Sequence, residues 1–309
     1  MFRMSKNLYL GSGWLPDLPD PRDWTINDER IRQQLERAKV LRILRSRRKL
    51  PARVDLRPHC PPVRFQGGFN SCSAHVVAAL LEYFEKRILG TPTSVSRLFL
   101  YKVTKNFLQE TGNVAVFIRQ TMGCLRLVGV PPEKYWPYPD PGTLARPRRT
   151  DRRLDDDPPA FCYALAQAYR DISYYRLDSA EKPCSGEQLL KQIKRHLAIG
   201  IPIAFGFAVF GSKSTADGHI PMPTAQDERL SSHAVLAVGY DDHLQIVNGG
   251  KDGQRSTGAL LFQNSWSTGW GDAGYGWLPY DFVRESLARD FWTLLHANWV
   301  DAGGFQLDL

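Results

Sequence analysis

Apolar residues recur at helical spacing in the first half of the chain and in short continuous runs in the second. Val76, Val77, Leu80, Leu81 and Phe84 form one stripe, which predicts a central helix over 72–90, stopped by Gly90 and Pro92. Residues 94–130 read as mostly helical, with Gly112 and Gly123 as breaks. Ile31, Leu35, Val40, Leu41 and Leu44 predict an earlier helix, with Asn27 or Asp28 as its cap and Pro51 as its end. Before it, the prolines of 14–21 force extended or turn-like backbone. From 161 to 309 the pattern becomes strands and turns, apart from a helix at about 186–199. His233–Tyr240 and Leu260–Gln263 are apolar runs of strand length, and the turn signal Asn248–Gly253 between them predicts an extended hairpin. Residues 137–160, rich in proline and charge, read as an exposed loop between the halves. A helical half followed by a sheet-rich half predicts an α+β fold.

Charge divides the chain differently. The net charge is +8, yet residues 30–53 alone hold ten Arg or Lys against Glu36, a local +9, so the rest is about −1. The basic character belongs to one segment. That excludes a nucleic-acid surface running across the fold and leaves an anion or phosphate group, or an acidic partner, as a candidate ligand of 30–53. A solvated basic helix explains the same charges without a ligand. No apolar run reaches the roughly 18 residues of a membrane span, and the first residues lack a secretory signal, so a cytoplasmic location is the expectation.

The chemistry begins at Gln66-Gly-Gly-Phe-Asn-Ser-Cys72. A thiol at a helix N-terminus has its thiolate stabilised by the helix dipole, and an amide six residues earlier can donate to an oxyanion. A buried free cysteine is commonly inert packing; here a base and its orienter follow. His233 leads one apolar run, and Asn264 ends the other, 31 residues later. The imidazole can take the thiol proton while the asparagine fixes its tautomer.

With Gln66, Cys72, His233 and Asn264 in that order, and Asn264–Gly271 reading NSWSTGWG, the chain resembles the papain-like cysteine peptidases over roughly 50–300. Val54–Arg57, Pro62-Val63 and Gln66-Gly67 are similar to the start of the mature papain domain. The GW-x-PD-x-PD-x-RD run at Gly13–Asp23, Ser96-x-Leu98 and Trp136–Tyr138 resemble the bacterial branch. The resemblance implies a helical left domain and a β-barrel-like right domain with the cleft between them. The expected boundaries are an N-terminal extension, 1–49, and a peptidase domain, 50–309, divided near 160. The implied activity is endopeptidase action on peptides or proteins, with no metal or organic cofactor. Cys72 is the nucleophile, His233 the base and acid, Asn264 its orienter, and Gln66 an oxyanion donor. Trp266 shields the His233–Asn264 bond and Trp270 supports it. The extension is expected to pack near the cleft and limit access, or else merely to brace the fold. A transglutaminase-like acyl transferase and a non-catalytic peptide-binding protein are the rival classes; the Asn-Ser-Trp context opposes the first, and the presence of both Cys72 and His233 the second.

Departures from the family pattern carry information. Phe69 stands where a flanking disulfide cysteine is common, and the five cysteines are expected to be thiols, with a Cys162–Cys184 bridge as the alternative. No CxxC pair calls for zinc. Asn70 replaces a glycine, Ser73 a tryptophan, Ser232 an aspartate and Ser267 a glycine. His75 takes the place of an aromatic ring and is read as packing that could still perturb the thiolate. The substrate wall falls near Val114, Ala115 and Phe117. Gly206 and Ala234 are the expected lining of the pocket for the second residue upstream of the cut, and its floor falls at Phe291 or Trp292.

Overall fold

The computed structural model describes residues 13–46, 48–91, 93–139, 154–169, 172–179, 184–211, 217–248 and 254–296. Helix α3, Cys72–Leu89, is the axis of the helical half. It is buried on nearly every side, with Val77, Leu80, Leu81, Tyr83 and Phe84 wholly inaccessible, as expected of a core helix rather than a surface one. Gly90 ends it in the left-handed region at φ 77°, its N–H returning to Lys86 O. Helices α4 (Arg97–Phe107) and α5 (Ile118–Val128) pack on it. The Ser96 hydroxyl caps α4 by accepting from Phe99 N. Gly123 does not break the helical pattern: it lies inside α5, where a side chain would come against Tyr174. A short helix α6, Ala160–Ala166, follows.

The second half is a seven-stranded antiparallel sheet. Its strands are β1 (Arg53–Asp55), β2 (Ile172–Arg176), β3 (Ile203–Phe210), β4 (Arg229–Val247), β5 (Arg255–Gln263), β6 (Tyr275–Pro279) and β7 (Ala288–His296). The order is β2-β7-β3-β4-β5-β6, with β1 added to β4. Helix α7, Gly186–Ala198, carries a full capping box between Ser185 and Gln188, and α8, Asp281–Arg284, lies beside it. The β4–β5 hairpin pairs out to Val247 and Arg255. Residues 249–253 and the arginines of 146–149 lie outside the described residues. α3 packs against β4 and β3, and this seam brings Cys72 to His233.

The predicted single N-terminal helix is two: α1, Glu29–Arg37, and α2, Val40–Arg45. The reason is phase. Leu35 and Val40 are five residues apart, which a continuous helix would turn to different faces. Lys39, left-handed at φ 57°, breaks the helix and restores the stripe. Ile31, Leu35, Val40, Leu41 and Leu44 are all buried. Asp28 does not cap α1 by its side chain; its carboxylate accepts from Thr25 N and Oγ1 instead.

Candidate active site

His233 enters from β4 and Asn264 from the end of β5. Their ring nitrogen Nε2 and amide oxygen Oδ1 are 2.7 Å apart. Asn264 Oδ1 also accepts from Ser265 N at 2.7 Å, which identifies it as the oxygen. His233 Nε2 must then carry the hydrogen, and in the neutral ring Nδ1 is the bare nitrogen. Among the described residues Nδ1 has no hydrogen-bond partner. Trp266 stacks on the imidazole, centroids 4.5 Å apart at 24°, and covers this bond. Trp270 meets Trp266 edge-on at 5.5 Å rather than by stacking. Ser267, the family's glycine position, is left-handed at φ 67°, which explains why glycine suits it.

Gln66 is fully buried, and its amide is pinned at both ends. Nε2 donates to Phe69 O at 2.7 Å, and Oε1 accepts from the Ser265 hydroxyl. Gln66 N also donates to Ser265 O at 2.9 Å, so the loop before α3 is tied to the residue after Asn264. Asn70 is not left-handed. It is clamped to Asn113, its N–H on Oδ1 at 2.6 Å and its Nδ2 on the Asn113 carbonyl at 3.1 Å.

Cys72 is the first residue of α3 and has no exposed surface. What covers it is the extension. Gly13 N donates to Cys72 Sγ at 3.2 Å. Trp14 bridges Val116 in parallel, with Val116 N on Gly13 O at 2.9 Å and Leu15 N on Val116 O at 3.4 Å. The Ser232 hydroxyl donates to Trp14 O, and the Ser73 hydroxyl holds Val116 O at 2.8 Å. Two of the departures from the family pattern therefore serve the covering strand. The Trp14 indole lies on Gly206, where an added Cβ would sit 2.1 Å from the ring. Its N–H reaches Asp290 Oδ2 at 2.9 Å.

Beyond Trp14 the strand is held by charge. Asp17 pairs with Arg119 at 2.7 Å, and Asp23 with Arg119 at 2.6 Å and Arg176 at 3.3 Å. Arg176 also pairs with Asp290 at 2.7 Å and Asp178 at 2.9 Å. Asp290 is left-handed at φ 60°, on the stretch of β7 where pairing with β3 shifts register. Such bulges re-aim side chains.

Sequence reasoning brings Gln66, Cys72, His233, Asn264 and Trp266 to one place. Gly206 meets the strand. Ala234 lies beside the thiol through its backbone N–H. Ala115 adjoins the pairing residue, which is Val116. Asp290 holds the end of the Trp14 pocket, next to the expected Phe291. Asp290 and Val116 were not legible; the carboxylates spaced between prolines at 17–23 were the available signal for Arg119 and Arg176.

Burial sets the protonation of the covered pair. It pushes the Cys72 thiol up to about 11, against the pull of the Ala234 and Gly13 N–H groups. It also lowers the His233 imidazole to about 4, although the bond to Asn264 opposes this. Burial thus favours the neutral thiol and the neutral imidazole while the site is covered.

Residues 50–285 match the family described as papain family cysteine protease. The peptidase C1-like protein L477 of Acanthamoeba polyphaga mimivirus is 30% identical over 238 residues, 74% of this chain and 68% of that protein. The crystal structure of xylellain, a cysteine protease of Xylella fastidiosa, is similar at 30% identity and TM-score 0.71, covering 96% of this chain and 99% of that one. A Carica candamarcensis cysteine protease in complex with E-64 has the same fold at 21% identity and TM-score 0.50, covering 80% and 99%. A helical half and an antiparallel sheet meeting at Cys72, His233 and Asn264, together with a family match spanning most of the sequence, place this chain in the papain family of cysteine proteases.

Proposed function

We propose that the Cys72–His233–Asn264 set, with Gln66, hydrolyses peptide bonds, and that the strand from Gly13 to Asp23 holds the enzyme in a blocked state. The observation carrying both is Gly13 N–H on Cys72 Sγ at 3.2 Å, beside a histidine already oriented by Asn264. When the strand lifts, His233 Nδ1 takes the thiol proton and the sulfur attacks the peptide carbonyl carbon. The oxygen becomes an oxyanion, facing the Cys72 N–H and the Gln66 amide. Collapse breaks the C–N bond, His233 returns the proton to the leaving amine, and a thioester remains. Water, deprotonated by the same Nδ1, attacks the thioester and releases the acid and the thiol. The blocking strand offers the sulfur an amide N–H, not a carbonyl carbon, and so is not positioned as a substrate.

E-64 labelling with peptide mapping tests this. Slow labelling of Cys72 in the full chain, faster labelling when the strand is displaced, and none in Cys72→Ala are expected. Labelling that is as fast in the full chain as in a strand-displaced variant would end the blocked-state proposal. No labelling at Cys72 in either would end the nucleophile assignment.

Two smaller proposals follow from charge and cysteines. A cavity of about 360 Å³ beside α2, lined by Arg45, Arg176 and Arg195 and, among the described residues, by no carboxylate, suits an anion at the basic segment. Stabilisation by inorganic phosphate beyond that by chloride at equal ionic strength, lost in Arg45→Ala, tests it. All five cysteines are free thiols, which supports a reducing, cytoplasmic setting.

A further inference from the structure

Beside Asn264, α3, the interior of β4 and the end of β5 leave a gap of about 20 Å³, lined by His75, Arg97, Gln263 and Asn264 among others. All four side chains are more than nine-tenths buried. Among the described residues each has one polar atom without a hydrogen-bond partner: His75 Nε2, Arg97 Nε, Gln263 Oε1 and Asn264 Nδ2. Unmet groups of this kind are costly and uncommon, and four around one gap are not chance scatter.

Their polarities can be assigned from chemistry. Gln263 Nε2 donates to Pro61 O at 2.7 Å, so the unmet atom is the oxygen, an acceptor. Asn264 Oδ1 is fixed by Ser265 N, so the unmet atom is the NH2, a donor. Arg97 spends its terminal nitrogens on Val95 O and Glu82, leaving the Nε donor. His75 Nδ1 lies 3.1 Å from Ser71 O, which only accepts, and 3.3 Å from Ser71 Oγ, whose shorter partner is the Tyr138 hydroxyl at 2.7 Å; the Nδ1 hydrogen therefore goes to the carbonyl. Burial keeps the ring neutral by lowering it to about 3, and His75 Nε2 is therefore a bare acceptor. Two donors and two acceptors are the complement of one water molecule. The volume also fits, since one water needs on the order of 10–15 Å³.

We propose that a single water is built into this gap, accepting from Asn264 Nδ2 and Arg97 Nε and donating to His75 Nε2 and Gln263 Oε1, and that through it His75 is a positioning residue for Asn264. The water holds the asparagine amide with Oδ1 toward His233, which keeps the imidazole hydrogen on Nε2 and the bare nitrogen on Nδ1. His75 does not touch the reacting atoms. The positioning role rests on the assignment of Asn264 as the orienter of His233; the water site does not.

High-resolution diffraction from the full-length protein tests the site. One density peak within about 2.7–3.2 Å of the four atoms is expected; a dry gap overturns the proposal. The positioning role is read by the nitrogen chemical shifts of the His233 ring in isotopically labelled full chain. Wild type and His75→Gln, whose amide oxygen can still accept from the water, are expected to hold the Nε2–H tautomer. His75→Phe is expected to show a mixture, and Cys72 alkylation slower on the order of tenfold, the worth of one hydrogen bond. Identical ring shifts in all three proteins overturn the positioning role. Neither the density nor the ring shifts require turnover, so either can fail while Cys72 labelling still supports the protease mechanism.

Discussion

The indole N–H of Trp14 donates to the carboxylate of Asp290 across a sequence separation of 276 residues, at 2.9 Å and in full burial. The same oxygen accepts from Asp17 N at 2.8 Å, and the other from Arg176 at 2.7 Å. Losing a hydrogen bond to a buried acceptor costs about 1–3 kcal/mol. Trp14→Phe keeps a ring over Gly206 and loses the donor. Alkylation of Cys72 in the full chain is expected to rise about 10- to 100-fold. In a Trp14→Phe, Asp290→Asn double variant the two changes are expected to be far from additive. An unchanged alkylation rate in Trp14→Phe means this bond does not hold the strand.

Gly13 is the point where the strand has no room. An added Cβ would lie 2.1 Å from the backbone oxygen of Asn70, which is tied to Asn113 and cannot step aside cheaply. Gly13→Ala is expected to lift the strand from Cys72 while leaving the body folded. The readouts are E-64 labelling faster by about 100-fold or more and an unchanged circular dichroism spectrum, the rate corresponding to loss of ~3 kcal/mol of strand binding. Wild-type labelling kinetics would show that the strand tolerates the methyl group and grips elsewhere.

Gln66 and Ser265 divide one task. With the strand displaced by Gly13→Ala, adding Gln66→Ala is expected to lower kcat on the order of 10²–10³-fold with little change in KM, as for other oxyanion donors. Adding Ser265→Ala leaves the amide in place but frees its oxygen end, and about a tenfold loss is expected. Equal losses in the two would make the serine, not the amide, the critical group.

Three buried imidazoles make the fold acid-sensitive. Burial lowers His75 to about 3 and His196 and His233 to about 4. Each stays neutral when folded, while the unfolded chain takes up a proton near pH 6.5. Stability therefore falls as pH drops from about 6.5 toward 4, by about 3 kcal/mol for each of His196 and His233. Asp290, raised by burial to about 7, has the opposite sign and gains stability as pH falls through the same window. His196 sits away from the thiol, between Gln192 O and the Tyr175 hydroxyl. In His196→Gln the pH slope of urea-unfolding free energy between pH 6.5 and 4.5 should drop by about 1.4 kcal/mol per unit. An unchanged slope would mean that His196 does not remain neutral in the fold.

The meeting of Cys72, His233 and Asn264 was legible because each sits at a punctuation mark: Cys72 at a helix start, His233 at the head of an apolar run, Asn264 at the end of another. The stripe of α1 and α2 was visible too, but its break at Lys39 was not. A five-residue gap in a helical pattern can be closed by a kink or a left-handed residue, and periodicity alone does not choose. Asp290 was hidden more deeply. It reaches the site because β7 slips register against β3, and a register shift depends on pairing between strands more than 80 residues apart. The polarity around His75 was likewise invisible, since Gln263 read as a strand end and Arg97 only as part of the helical stretch 94–130.

In the proposed blocked state Gly13 sets only an N–H against the sulfur, so the strand would stay attached rather than be consumed. A tethered competitor of this kind acts at a fixed effective concentration, on the order of millimolar for a short flexible tether. Its occupancy does not depend on how dilute the enzyme is. A peptide would have to outcompete it at every turnover, so the block would multiply the apparent KM and leave kcat at saturation untouched. Such a block would discriminate by substrate abundance: scarce peptides would meet a closed enzyme and crowded ones an open one.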